Sequence, residues 1–367
     1  MKLTANHPFK SVILLISSFL LTGFATIAQI PPGYYDNAAG KTGVELQTAL
    51  HAIIKNHMVL TYSYLWTAFQ TSDDKPNGTV WDMYSDIPDG TPNGNPPYIF
   101  HFVTDQCGNY SGEGDCYNRE HSWPSSWFND QSPMVTDLFH LYPTDGYVNN
   151  KRSNYPFGTV STASWTSENG SKLGNCSWPG YTGTVFEPID GYKGDFARSF
   201  FYMSTRYYTE DGNWEVTDMT NKSQLKPWAL QMMLHWSIMD PVTTKETDRN
   251  NTVYGMQNNR NPFIDHPEYV YMIWGYPVGT DEITAHDHPL AIYPNPATDR
   301  CQVDLPADVK TMNLQLSLAS TTGIKSTPQY FQSGSALILD VQTLPTGIYI
   351  VNLTGDSGCW HGKIVKE

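Results

Sequence analysis

The chain has 367 residues, 40% hydrophobic, 16% charged and 13% aromatic, with 28 glycines, 25 prolines and a formal net charge of −14. That profile excludes a coiled coil, a collagen and a disordered acidic tail, and it supplies enough apolar material for a large core plus a second unit. The negative balance also excludes a general electrostatic pull toward nucleic acid, so a site for a polyanion must be a local Arg/Lys cluster or a metal ion.

Residues 1–28 read as a secretory signal. Lys2 and Lys10 give a basic start, residues 12–21 (VILLISSFLL) are apolar, and Ala28 ends a small-residue exit. The stretch 12–28 is also about long enough for an uncleaved anchor, but Ser17, Ser18 and Thr22 favour cleavage. Export permits disulfides. Cys107 and Cys116 bracket a short Gly-rich loop and are expected to pair; Cys301 and Cys359 are a second expected pair, which leaves Cys176 over.

In residues 43–58, Val44, Leu46, Ala49, Leu50, Ile53 and Ile54 recur at helical spacing and predict an amphipathic helix. Residues 70–118 are rich in Asp, Gly, Pro and Asn and read as turns with short aromatic runs. Residues 196–207 and 228–239 are predicted helices with core-facing stripes, the second opened by Pro227. Near residue 290 the texture changes. Segments 314–318, 336–339 and 348–353 alternate with period two between Gly/Pro/Thr turns, which predicts a small β-sandwich. The acidic excess lies before that boundary.

The densest polar constellation runs from Cys116 to Asn154. It holds CYNREHSWP, then DLFHLYP, then DGYVNNKRSN, and so gathers carboxylates, two His, amide oxygens and cations within some 40 residues. A carboxylate and an amide oxygen can hold Mg²⁺ while leaving positions for water and substrate. A neutral His can take a proton from an attacking water. On a regular strand Glu120 and His121 point to opposite faces, so both serve one site only where the strand ends or kinks, near Pro124. Asn149 and Arg152, three apart, would share a helix face.

CYNREHSWPSSWF, DLFHLYPTDGYVNNKRSNYPFG, EPIDGYKGDFARSFFYM and MQNNRNPFIDHPEY, in this order, closely resemble the bacterial endonuclease I family, which includes secreted extracellular ribonucleases. The resemblance covers roughly residues 35–275. It implies an α+β fold: a His-metal finger (ββα-metal) core in a mixed, largely helical domain. It also implies His121 as general base, Glu120 and Asn149 as protein ligands of one divalent cation, and sequence-nonspecific hydrolysis of DNA and/or RNA leaving 5′-phosphate ends. Mg²⁺ is the expected cation, with Mn²⁺ and Ca²⁺ as alternatives. Arg119, Arg152, Arg198 and Arg260 are candidates for gripping phosphate, because guanidinium matches phosphate oxygens bidentately. Arg152 and Arg260 lead that set, and an ion-pair role stands against it for Arg119 and Arg198. The run around His140 is also similar, faintly, to the DRGH run of another His-metal finger group, so His140 is the alternative base. Asp137 and His140 are otherwise expected to be supporting residues, Glu187 is an unplaced carboxylate, and His286-Asp287-His288 reads as a solvated tether.

At the C-terminus, YPNPATDR, LPTGIYIVNL and GKIVKE resemble the type A sorting domain of proteins exported by the type IX secretion system. The expected organisation is a signal peptide at 1–28, a catalytic domain at 29–280, a linker at 281–291 and an Ig-like all-β sorting domain at 292–367. The expected partners are nucleic acid as substrate and the type IX machinery, for a monomer released or held at the cell surface. Two other classes compete. A surface glycan-binding module would use the many aromatics, and a glycoside hydrolase would need paired carboxylates that no spacing here provides.

Overall fold

A computed structural model describes residues 30–88, 98–275, 290–305, 315–320, 325–326, 328–355 and 358–367. The signal segment, most of the linker and His286-Asp287-His288 lie outside them, and among the described residues no helix is long and apolar enough to cross a membrane.

The larger unit opens with α1 (Gly43–Ile54) and α2 (Leu65–Ser72). In α1 Leu46, Leu50 and Ile54 form the buried stripe, while Val44, expected inside, is exposed in the first turn. After a long turn-rich stretch come β1 (Tyr117–His121), β2 (Leu141–Asp145) and α3 (Gly146–Arg152). Strands β3 (Val160–Thr166), β4 (Lys172–Cys176) and β5 (Thr184–Glu187) form an antiparallel sheet in that order. Helix α4 (Lys193–Arg206) is buried at every position after Lys193. It is the central helix, so its apolar residues are not confined to one stripe. A short ribbon of β6 (Thr220–Asn221) and β7 (Gln224–Leu225) precedes α5 (Pro227–Met239), whose Pro227 stands in the first turn as predicted. Helices α6 (Thr244–Gln257), α7 (Pro262–Asp265) and α8 (Glu268–Trp274) complete the unit. One continuous core holds Leu46, Leu50, Trp123, Phe128, Phe157, Phe196, Phe200, Met232 and Phe263.

The C-terminal unit has its own core of Cys301, Val303, Leu318, Leu339, Val351, Trp360 and Ile364. Its strands are β8 (Ile292–Tyr293), β9 (Arg300–Asp304), β10 (Gln315–Ser320), β11 (Lys325–Ser326), β12 (Tyr330–Ser333), β13 (Ala336–Asp340), β14 (Gly347–Gly355) and β15 (Gly358–Lys366). They make two four-stranded antiparallel sheets, ordered β11-β10-β14-β15 and β12-β13-β9-β8. The three alternating segments of the sequence are β10, β13 and β14. The molecule is thus α+β with a β-rich C-terminal region.

Cys107 and Cys116 are bridged, with Cα atoms 5.7 Å apart. The second expected bridge is not seen: Cys301 is a free buried thiol, and the side chain of Cys359 lies outside the described residues. Cys176 is free and buried, as expected.

Candidate functional site

Strands β1 and β2 pair antiparallel, with Asn118 opposite Thr144, Glu120 opposite Tyr142 and His121 opposite Leu141, and α3 follows β2 without a loop. Asp145 caps that helix by accepting from the Val148 amide (2.8 Å). Gly146 is required by close approach, since a Cβ there would stand 2.6 Å from the Tyr110 ring. Tyr110 belongs to the disulfide loop, which is tied to the same corner: the Gly146 amide donates to the Cys116 carbonyl (2.9 Å) and the Gly114 amide to Asp145 Oδ2 (2.8 Å).

The residues joining β1 to β2 are held by polar groups buried elsewhere. Asp137 accepts from the hydroxyls of Tyr202 and Tyr207 (both 2.8 Å), from Gln257 Nε2 (3.0 Å) and from the Phe139 amide (3.2 Å). Burial raises its carboxyl, but His57, His140 and the Gln257 hydrogen bond together bring it below the ordinary range. Arg249, paired with Asp73, donates to the carbonyls of Leu138 (2.8 Å) and Leu141 (2.7 Å). These contacts make Asp137 a structural hub.

On one face of β1, Asn118 and Glu120 look toward α3. Asn149 Nδ2 donates to Asn118 Oδ1 (2.7 Å), which leaves Asn149 Oδ1 as the unengaged oxygen. Glu120 Oε1 accepts from the Tyr84 hydroxyl (2.9 Å) and lies 3.2 Å from Arg152 Nη1. Burial pushes the Glu120 carboxyl up to about 7, with Arg152 and Tyr84 pulling the other way. A carboxylate this buried is expensive to ionise, and a cation beside it would offset that cost. One carboxylate oxygen and one amide oxygen, with room for water, are the donors a hard divalent cation takes, so these residues fit the expected metal. Among the described residues no group of three or more His, Cys, Asp or Glu side chains forms a metal cluster.

His121 presents to the other face, as strand alternation requires. Its ring neighbours are Tyr62, Phe128 and His140, whereas the polar partners of Glu120 are Tyr84 and Arg152. Nε2 lies 3.1 Å from the Val135 carbonyl. A carbonyl can only accept, so Nε2 carries the proton and Nδ1 keeps its lone pair. Burial, then the neighbouring His140, pushes the imidazole down to about 3, which favours the neutral ring. The residue remains partly exposed, whereas His140 is sealed, with Nε2 on the Met134 carbonyl (2.8 Å) and Nδ1 buried without a partner.

The arginines stand differently from expectation. Arg152, expected beside Asn149 as a phosphate-gripping cation, instead pairs with Glu120 (3.2 Å) and is 1% exposed, and its guanidinium also donates to the carbonyls of His121 (3.0 Å) and Ser122. It fixes the end of β1 from inside and is not open to solvent. Arg260 is also buried and engages Asp265 through two nitrogens and Asn251 through Nη2 (2.8 Å), partners on α6 and α7 rather than on the hairpin. Arg198 forms a two-pronged pair with Glu246, the ion-pair reading, and Glu187 pairs with Lys193 and caps the Val160 amide. Arg119 alone of these is partly exposed. Sequence reasoning missed Asn118, which period-two spacing from Glu120 could have found. It also missed Tyr84, which lies 36 residues away and gives no local signal.

The family model described as Endonuclease I matches residues 42–268, and that of a secretion system C-terminal sorting domain matches residues 291–367. The chain is similar to the extracellular ribonuclease of Bacillus amyloliquefaciens, 36% identical over 250 residues, which cover 66% of this chain and 78% of that protein. The extracellular ribonuclease of Bacillus subtilis is 36% identical over 251 residues, with the same coverage. Endonuclease-1 of Buchnera aphidicola subsp. Baizongia pistaciae is 29% identical over 132 residues, 36% of this chain and 46% of that protein.

Proposed function

The chain belongs to the endonuclease I family and ends in a secretion system sorting domain, and from that premise we propose that it is an exported, divalent-metal-dependent endonuclease that cuts DNA and/or RNA without sequence preference. The single observation that carries the reading is the hairpin followed directly by α3. It holds Asn149 and Glu120 on one side of β1 and an imidazole with a free Nδ1 at the strand's last residue. The arrangement supports a His-metal finger.

In this reading the scissile phosphate lies over the end of β1, between Glu120 with Asn149 and His121. A bound Mg²⁺, Mn²⁺ or Ca²⁺ would polarise the phosphoryl group and stabilise the departing oxygen. His121 Nδ1 takes a proton from water as the water oxygen attacks phosphorus. The bond to the 3′ oxygen breaks, leaving a 5′-phosphate, and the departing 3′ oxygen takes a proton from solvent water to become a 3′-hydroxyl. The Val135 carbonyl fixes the tautomer, and the anionic phosphate beside the ring favours the imidazolium as it forms. Arg152 acts through Glu120, holding its carboxylate and the β1 terminus in place. The half-buried His121 is favoured over the sealed His140 as base. A signal at 1–28, a catalytic domain at 29–280 and a type IX sorting domain at 292–367 complete the proposal, with the monomer acting outside the cell or at its surface.

The test is cleavage of plasmid and of RNA by the full chain under a panel of divalent ions and EDTA. His121→Ala should lower kcat at least about 100-fold with its melting temperature unchanged, and Glu120→Gln should abolish the rate increase on adding Mg²⁺. Cleavage at the wild-type rate by His121→Ala rejects the base, and undiminished cleavage in EDTA rejects the metal.

A further inference from the structure

The face of β1 that carries His121 holds a second arrangement that the mechanism does not use. The Arg119 guanidinium carbon lies 3.7 Å from the Tyr62 ring centroid and 4.3 Å from that of Trp66, and Nη1 donates to the Tyr62 carbonyl (2.9 Å). Among the described residues the partners of Arg119 are Tyr62 and Trp66 and no carboxylate, although the chain carries 36 acidic residues. The two rings and the carbonyl hold the guanidinium, and Nη1 is the nitrogen that makes the hydrogen bond. Tyr62 is 43% exposed even with Arg119 against its ring, and its plane lies within 10° of that of His121, centroids 6.4 Å apart. Met58, Val59 and Tyr64 beside it in the chain are also exposed.

An open aromatic ring next to a preoriented guanidinium is the combination that grips an unpaired nucleotide, the ring stacking on the base and the cation meeting the adjacent phosphate. We propose that Tyr62 and Arg119 form a nucleotide subsite beside His121, with Tyr62 stacking an unpaired base, so that the protein prefers single-stranded polynucleotide. The inference rests on the nuclease reading above. A duplex keeps its base faces stacked and cannot offer one to Tyr62, whereas its phosphates remain open to Arg119.

The test is binding by fluorescence anisotropy in EDTA, with the strand checked afterwards for integrity. It uses labelled oligothymidylate, an abasic strand of the same backbone, and a duplex. Tyr62→Ala should weaken oligothymidylate binding on the order of 10-fold, while Tyr62→Phe stays within about twofold of wild type. Neither variant should change binding of the abasic strand or the duplex. Arg119→Gln should flatten the dependence of log K on log salt by about 0.7 on single strands, one phosphate contact. Tyr62→Ala within about twofold of wild type on oligothymidylate, or an equal loss on the abasic strand or the duplex, overturns the subsite. If that happens while the wild-type chain still cleaves, only the subsite falls. If wild type neither binds nor cleaves any strand, the nuclease reading falls with it.

Discussion

Arg152 separates two accounts of the site, an exposed clamp on substrate phosphate or a buried counter-ion for Glu120. The geometry favours the second. Arg152 is 1% exposed and Glu120 2%, with Nη1 3.2 Å from Oε1 and the same guanidinium satisfying the carbonyls of His121 and Ser122. Removing one partner of a buried pair leaves a charge in a medium that cannot solvate it, so Arg152→Met should destabilise the metal-free protein by about 3–5 kcal/mol. Removing both charges relieves that penalty, and Glu120→Gln/Arg152→Met should be more stable than the sum of the single variants by about 2 kcal/mol. Urea unfolding in EDTA followed by tryptophan fluorescence reads the right unit, because ten of the eleven tryptophans precede residue 290. The reasoning is refuted if the two losses add within about 0.5 kcal/mol, or if Arg152→Met is silent in stability while it raises KM for nucleic acid, which is the signature of a clamp.

Asp137 should set part of the acid limit of the fold. Its carboxyl is depressed in the native state, so the stability it contributes is complete above its unfolded value of about 4 and is lost as pH falls through the lower native value. Asp137→Asn should cost about 1.5–3 kcal/mol at pH 7 and flatten the acid limb in urea melts between pH 3 and 7; superimposable limbs would exclude this role. Opening the Cys107–Cys116 loop with the double Ser variant should cost about 2–3 kcal/mol by the loop-entropy relation. The loss should centre on the start of α3, as faster exchange of the Gly146 and Val148 amides, and unchanged protection there would uncouple the loop from the helix.

Elements that speak through apolar periodicity were legible. The stripe Leu46–Leu50–Ile54, the Pro227 start of α5 and the alternating strands β10, β13 and β14 all follow from side-chain spacing. Helix α6 was not, because its buried face is polar: Glu246, Arg249, Asn250 and Gln257 point inward to hold other elements. A hydrophobic pattern cannot register a helix whose interior is made of hydrogen bonds. The same limit explains Arg260. A polar motif marks either a surface that meets substrate or an interior that joins elements, and NNRNPF is the second kind. Asn259 bonds Tyr202 and the Ile54 carbonyl, Asn261 caps α7 and bonds the Arg198 carbonyl, and Arg260 pairs with Asp265. At the candidate site, spacing along α3 anticipated that Asn149 and Arg152 share a helix face, and the family resemblance set Glu120 beside Asn149, but neither indicated that Arg152 is buried.

Burial of the arginines bears on how an acidic chain can handle a polyanion. Before residue 290, Arg152, Arg198, Arg206, Arg249 and Arg260 are buried and paired with Glu120, Glu246, Glu210, Asp73 and Asp265. Their charge is neutralised internally, and Arg119 is the arginine of this unit with solvent access. Phosphate contacts therefore fall to Arg119, to a few lysines such as Lys151 on α3, and to the cation. With about two or three such contacts, log K for a single strand against log salt should have a slope near −2, where a basic nuclease with many contacts is far steeper. The slope should shrink further in Arg119→Gln and stay unchanged in Arg260→Gln. A wild-type slope steeper than about −5, or one that falls on losing Arg260, would mean that phosphates reach guanidinium groups the fold keeps inside, and the assignment of those arginines to structure would be wrong.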